Sequence, residues 1–502
     1  MPGYVLRYDM NFVPAQGFQL DLIAPLSAAP RAVPLDAAVS LVNMVLPGWL
    51  LQRLVLAAII WAAVVGAGRL VPTESLSIRL IAAVGYGWTP LLAERLLIGQ
   101  WGLLIAYAAM PWVVMAALRR DLPRLTIAAG LCALTPTGGI LAALVALTLR
   151  PTRKAAAVLL LVNLPWLTAS LLSDTASRSD PAGVGAFAAR AENWGGAIVS
   201  LAGTGGIWNE ETTPASRASP LIPLLTLLLL LLAAYGYPKM PRGLWISAAV
   251  GFVLAAVPTF EGGAWLMRTV TDHVPGAGLL RDSQKFILPY ALFLVLGVAL
   301  GAERLAARLP TEAGRAALVG VLILLVAPMP DLAYGGAGAF KPVRYPPGWA
   351  KVADIVRADP GPVLSLPLSE YRRYPWNHDI VVLDPAPRYL PSPVITDDTL
   401  IVDGEPVEGE DPRLKEIRAQ LSDGDLGANR AIRWVLVQGV TFEAIPGLER
   451  VYIDENLALY RNPHASASNV GSARHLLVIA AELVALLTLM LAAATIALKA
   501  RR

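Results

Sequence analysis

The sequence predicts a polytopic α-helical membrane protein of about 10–11 spans, two of them half-length, carrying an extracytoplasmic α/β domain. Three observations predict it. Of 502 residues, 56% are hydrophobic and only 16% charged, with mean hydropathy +0.56, where a soluble domain averages about 25% charged. Apolar runs long enough to cross a bilayer recur along the chain, separated on one side by short basic loops. A hydrophilic stretch at 333–473 interrupts them with alternating strand-like and helix-like sequence.

Residues 1–48 hold Arg7, Asp9, Asp21, Arg31 and Asp36 among scattered prolines and are too polar to span. Within them, 34–46 has amphipathic spacing (Val39, Val42, Leu46), which fits a helix lying in the interface. Spans follow at about 50–68, 77–91 and 101–118, with Glu94-Arg95-Leu96-Leu97-Ile98-Gly99-Gln100-Trp101 as a polar turn between the last two. The stretch 125–149 is apolar but broken by Thr135-Pro136-Thr137-Gly138-Gly139, and basic clusters flank it at 119–124 and 150–154. Both clusters belong on one face, so the stretch reads as two half-length helices, in and back out. Such a break is tolerated where it is buried in protein or lines a cavity. Further spans lie at about 155–172, 220–236, 244–258, 285–302, 316–332 and 474–498, with polar loops at 173–219 and 259–284. The chain divides into a first outer segment (1–48), a transmembrane helical domain (49–332), an outer domain (333–473) and a last helix with a basic tail (474–502).

The positive-inside rule orients this count. Loops 69–79, 119–124, 150–154, 239–242 and 303–315 and the tail Lys499-Ala500-Arg501-Arg502 fall on one side, the cytoplasm. The 1–48 segment, the 92–100 turn, both polar loops and the 333–473 domain fall outside, which predicts a multi-pass plasma-membrane protein with its active face extracytoplasmic. In the outer domain, 362–367 and 432–437 read as buried strands, 451–453 and 458–461 as a hairpin, and 349–358 and 411–421 as helices.

The net charge of +4 matches cytoplasmic-loop Lys and Arg rather than a nucleic-acid surface. Cys132 is the only cysteine, so no intrachain disulfide framework exists. No Walker loop, CxxC, HExxH or GxSxG occurs, and the four histidines are too scattered for a metal site by spacing. Charges on the outer face remain. At Leu279-Leu280-Arg281-Asp282-Ser283-Gln284-Lys285-Phe286 a polar loop enters an apolar helix. Two cations and an anion at a helix N-terminus can cradle a phosphate, since the dipole and free N–H groups add to the same field. They can equally be interfacial anchors that snorkel to headgroups. Asp9 can act as a general base or metal ligand, or be a solvated loop charge. Glu94 and Arg95 can serve a site or form a structural ion pair. Trp208 can stack on a sugar face or sit in the aromatic belt. His273 and Asp282 lie in the same outer loop as Arg281.

With these residues in view, the chain resembles GT-C glycosyltransferases, polytopic enzymes that use polyprenyl-phosphate sugars. Gly3-Tyr4-Val5-Leu6-Arg7-Tyr8-Asp9-Met10-Asn11-Phe12-Val13-Pro14 is similar to the first-loop segment of uncharacterised actinobacterial membrane proteins. So are Ala93-Glu94-Arg95-Leu96-Leu97-Ile98-Gly99-Gln100-Trp101 and Arg281-Asp282-Ser283-Gln284-Lys285-Phe286. Those proteins are related to the arabinofuranosyl- and mannosyltransferases of mycobacterial cell-wall synthesis, and more loosely to YfhO-type proteins. The resemblance implies Asp9 as the catalytic acid of the first outer loop, with Mg or Mn at Asp9 if a divalent cation takes part. It implies Arg281, Lys285 and Arg95 at the donor phosphate, with Glu94, Asp282, Trp208 and His273 in support. The implied partners are a polyprenyl-phosphate-linked sugar (arabinofuranose or mannose), a glycan, lipid or protein acceptor, and membrane lipid, with no nucleic acid. The family sets its acid after a first span, and no span precedes Asp9 here. The expectation is a start placed downstream of a missing first helix; the alternative is a first span inserted with its N-terminus out. Two other function classes compete: a non-catalytic cell-envelope assembly or scaffold protein, and a lipid-linked-glycan transporter, whose broken helices would look alike.

Overall fold

The computed structural model describes the chain except residues 1–2, 28, 176–178, 275, 403, 440, 467–471 and 502. Met1 and Pro2 of the first segment and Arg502 of the basic tail therefore lie outside the described residues. The chain forms two compact units: Met1–Leu54, Thr168–Asp180 and Lys341–Ala480 make the first, and Val55–Leu167, Pro181–Phe340 and Ala481–Arg502 the second.

The first unit is built on a mixed sheet, five-stranded among the described residues, in the order Glu449–Ile453, Leu457–Arg461, Trp434–Gln438, Val363–Leu366, Val394–Ile395. The first pair is the expected hairpin, and Val363–Leu366 runs parallel to both of its neighbours. Side chains alternate across the pleat, so one sheet has two apolar faces. Val363, Trp434, Leu436, Leu457 and Leu459 pack with Trp349, Val352 and Val356 of helix Gly348–Ala358. Leu364, Val435, Ala458 and Tyr460 pack with Leu414 and Ile417 of helix Leu414–Ser422. The first segment of the chain is stitched into this unit. Tyr4–Val5 pairs antiparallel with Pro342–Val343. Tyr8 bridges Val382, and Asn11 Nδ2 donates to the carbonyls of Leu383 (3.2 Å) and Asp384 (3.0 Å). Within the amphipathic 34–46 stretch a helix forms at Leu35–Asn43.

Among the described residues, eight helices are long and apolar enough to cross a membrane. They match the expected spans. The exception is the span expected at 316–332, which is a helix Thr311–Val326 bent by 72° against a short continuation, Pro330–Ala337. Counting that bent pair gives nine, and the two shorter apolar helices, Leu122–Cys132 and Pro136–Leu149, complete the set. These last are the expected half-length pair. Pro136 stands at the start of the second, and Thr135 Oγ1 caps it by accepting from Gly138 N at 3.3 Å. Ala133, Pro136 and Gly138 at the break are buried, the condition under which a bilayer would tolerate such a break.

Ser283–Ala306 is the most deeply buried of the spanning helices, whereas Ala473–Ala500 is mostly exposed, as suits a lipid-facing helix. Close approach of the Ser283–Ala306 helix to Ile222–Gly236 depends on small residues. A Cβ at Gly301 would lie 1.9 Å from the Leu232 carbonyl oxygen, and one at Gly236 2.1 Å from that of Gly297.

Candidate functional site

In the second unit the loop charges gather around Asp282. The Glu94 segment, expected as a turn, is helical: Pro90–Leu97 starts on a Thr89 cap, whose Oγ1 accepts from Leu92 N at 3.2 Å, with proline in the first turn. That helix carries Glu94 and Arg95 into full burial. Arg95 grips Asp282 with two parallel bonds, Nη1 to Oδ2 at 2.9 Å and Nη2 to Oδ1 at 3.0 Å. Its Nη1 also donates to Gln100 Oε1 at 2.7 Å, and its Nη2 to Gln284 Oε1. Gln284 Nε2 passes the chain on to Glu94 Oε2 and to the Gly205 carbonyl, both at 3.1 Å. Lys285 Nζ sits 3.0 Å from the same Asp282 carboxylate. Burial pushes the Asp282 carboxyl up, but Arg95 and Lys285 outweigh it and hold it well below the usual range.

Arg95 was expected at a donor phosphate. Its geometry instead makes it the residue that fixes Asp282, and Asp282 in turn orients Lys285. Lys285 keeps partial exposure, about a quarter of its side chain. The half-buried Arg281 lies over the Phe187 ring, 5.9 Å from its centroid, and Phe187 stacks edge-on against Trp208 at 4.8 Å. Cation and rings thus form one ladder. His273 ends the amphipathic helix Glu261–His273, exposed, with Nδ1 2.9 Å from the Thr269 carbonyl and 3.7 Å from Asp272. Sequence reasoning passed over Gln284 as a link and over Glu192 and Arg217, a buried pair at 2.9 Å in the 173–219 loop.

In the first unit, Asp9 lies in a turn after Tyr8, which has φ 44°. Its Oδ1 accepts from the Tyr371 hydroxyl. Burial, with Asp9 and Glu370 adding to it, pushes the Tyr371 phenol well up, so the hydroxyl stays a donor. Glu370 is the next residue along. Arg31 reaches it at 3.6 Å and also meets Asp398 at 3.2 Å and Glu410 at 3.8 Å. Burial raises the Glu370 carboxyl, Arg31 opposes this, and Asp398 and Asp9 add to it, leaving it at about 7. A carboxylate anchored by a phenol beside a second acid poised near neutrality is an arrangement able to accept and hold a proton. Nothing in the residues near Asp9 along the chain points to Tyr371 or Glu370, more than 350 positions away.

Asp9 alone does not make a metal site. Among the described residues no group of three or more His, Cys, Asp and Glu side chains is placed to hold a cation.

No family model and no curated protein matches the chain. Its fold is similar to that of arabinofuranosyltransferase AftD from Mycobacteria, seen by single-particle cryo-EM, with a TM-score of 0.55 at 16% identity over 92% of this chain. A mutant form of AftD matches with a TM-score of 0.53, again at 16% identity over 92% of the chain. The chain spans about two-fifths of the length of those structures, 39% and 40%. The fold is therefore that of a polytopic helical membrane protein with an α/β domain.

Proposed function

We propose that this protein is a membrane glycosyltransferase that moves a sugar from a polyprenyl-phosphate donor to an extracytoplasmic cell-envelope acceptor. Arabinofuranose is the first candidate sugar and mannose the second. The observation that carries this reading is the Asp9–Tyr371 contact flanked by Glu370, on a fold similar to an arabinofuranosyltransferase. The fold alone would not carry it, because folds host many functions.

In this reading Tyr371 fixes Oδ1 of Asp9 and leaves Oδ2 for the acceptor hydroxyl. As the bond from the sugar's anomeric carbon to the phosphate oxygen breaks and the acceptor oxygen bonds to that carbon, Asp9 takes the hydroxyl proton. The polyprenyl phosphate leaves with the bonding electrons. A leaving phosphate calls for cations; by the sequence resemblance these are Arg281 and Lys285, and within their own unit Asp282, held by Arg95, positions Lys285. The outer domain and the 173–219 and 259–284 loops face outside, and the C-terminal tail faces the cytoplasm.

The experiment is donor binding by the full chain in lipid nanodiscs. Arg281→Ala or Lys285→Ala should each weaken binding of a polyprenyl-phosphate sugar about tenfold, the loss of one charge-assisted bond of roughly 1.5–3 kcal/mol. Normal donor binding by both variants would remove the phosphate assignment. One observation favours a second reading: Lys285 and Arg95 are both already paired with Asp282, as in a structural network. A scaffold protein of that kind would lose stability, not donor affinity, in these variants.

A further inference from the structure

The outer α/β unit contains a hollow that the transferase chemistry above does not use. It has a volume of about 210 Å³ and is lined by Tyr371, Arg372, Tyr374, Trp376, Gln438 and Asn456, among others. That is several times the roughly 30 Å³ share of one liquid water, room enough for a sugar ring. Its base is rigid. Arg372 Nη2 donates to Ser365 Oγ at 2.8 Å and to Asp384 Oδ2 at 2.9 Å. Gln438 Nε2 donates to Ser365 Oγ at 2.7 Å and Asp384 Oδ1 at 2.9 Å, and the Tyr374 hydroxyl donates to Gln438 Oε1 at 2.7 Å.

Within this locked network one group is left over. The Arg372 side chain is only 4% exposed, yet its Nε and Nη1 have no hydrogen-bond partner. Buried guanidinium N–H groups without acceptors are rare and unfavourable, and they point to a missing partner. Asp384 already cancels the guanidinium charge, so what is lacking is acceptor oxygens rather than negative charge. The two nitrogens lie on different edges of the guanidinium, which suits separate hydroxyls better than one bidentate oxyanion. Tyr374 and Trp376 stack at 4.9 Å, 26° between planes, and offer a flat apolar surface beside these donors. Asn456 and Gln438 add planar amides to the wall. Aromatic faces next to planar polar side chains match the two faces of a sugar, one C–H and one hydroxyl.

From this geometry we infer that the hollow binds a unit of a neutral glycan. Tyr371 lines it and bonds Asp9, so the bound glycan would lie one side chain from the acid. The inference holds apart from the transferase reading, because binding is read without donor or turnover and a scaffold protein would use the same hollow.

The test is saturable binding of short neutral arabino- and manno-oligosaccharides to the full chain in nanodiscs, by calorimetry and saturation-transfer NMR. At least one series should bind. Asn456→Ala and Trp376→Ala should each weaken it about fivefold or more. Arg372→Lys keeps a cation opposite Asp384 but lacks the free N–H groups, and should weaken binding as well. Trp265→Ala, on the exposed helix Glu261–His273, should leave it unchanged. Asn456 is half-buried and its change carries little risk to folding, so its result stands even if the Trp376 variant misfolds. Failure of both oligosaccharide series to bind, or undiminished binding by Asn456→Ala and Arg372→Lys, overturns the inference. Binding of inorganic phosphate in preference to the neutral sugars overturns it too.

Discussion

Asp282 holds two cations on one carboxylate, and each has a different burial. Arg95 is inaccessible, while Lys285 is partly exposed. Removing the buried partner takes two bonds from Asp282 and leaves it only the partly exposed Lys285, so Arg95→Ala should destabilise the protein by about 3 kcal/mol or more. Lys285→Ala should cost less than about 1 kcal/mol, in the range of exposed pairs. Thermal unfolding in detergent checks both, and equal losses would contradict the division of roles. Glu370 gives a pH signature of the opposite sign to most carboxylates. Its folded value of about 7 lies above that of an unfolded glutamate, so the folded state binds the proton more tightly. The stabilisation is complete below about pH 4.5 and is lost as pH rises through 7. At about 1.4 kcal/mol per unit its ceiling is roughly 3 kcal/mol, less what its partly exposed side chain loses to solvent. Glu370→Gln should flatten the decline in melting temperature between pH 5 and 8; an unchanged slope would place the titration elsewhere.

Helices and strands were legible where periodicity or run length is strong. The hairpin near 449–461, the two central strands and the broken pair at Leu122–Leu149 appear where alternation, apolar length and the Thr-Pro-Thr-Gly-Gly break put them. The helix Pro90–Leu97 was missed because its charges outweighed its start signal. Thr89-Pro90, a good cap followed by proline at the first position, was the signal available. The packing of helices Ile222–Gly236 and Ser283–Ala306 shows a further limit. The glycines were visible in the sequence, but their facing one another was not. Gly301→Leu should force these helices apart and cost at least about 1–3 kcal/mol of overpacking, seen as loss of folded protein by size-exclusion chromatography. Gly320, with open space around its Cβ position, should accept leucine; equal tolerance at both positions would refute the close packing.

Over the whole molecule, the composition and the basic loops disclosed a multi-pass protein, and the hydrophilic stretch disclosed the α/β domain. The candidate site was half legible. Asp9, Arg281 and Lys285 stood out as charges in loops, but the partners of Asp9 come from a strand and its neighbour far along the chain, met through a single Tyr8–Val382 bridge too short to show any pattern. The orientation is open to labelling, since Cys132 is the only cysteine and is buried. A cysteine replacing the exposed Asp379 should react with an impermeant maleimide in intact cells. One replacing the exposed Arg120 should react only after permeabilisation, and the reverse pattern would invert the membrane assignment.

The decisive measurement separates donor binding from turnover in Asp9→Asn. The amide keeps the shape and can still meet Tyr371, but it cannot take the acceptor proton. With polyprenyl-phosphate arabinofuranose and a glycan acceptor, turnover should fall about 10²–10⁴-fold while donor affinity stays within about twofold. An Asp9→Asn variant that transfers sugar as fast as the wild type would contradict the assignment of Asp9 as the base.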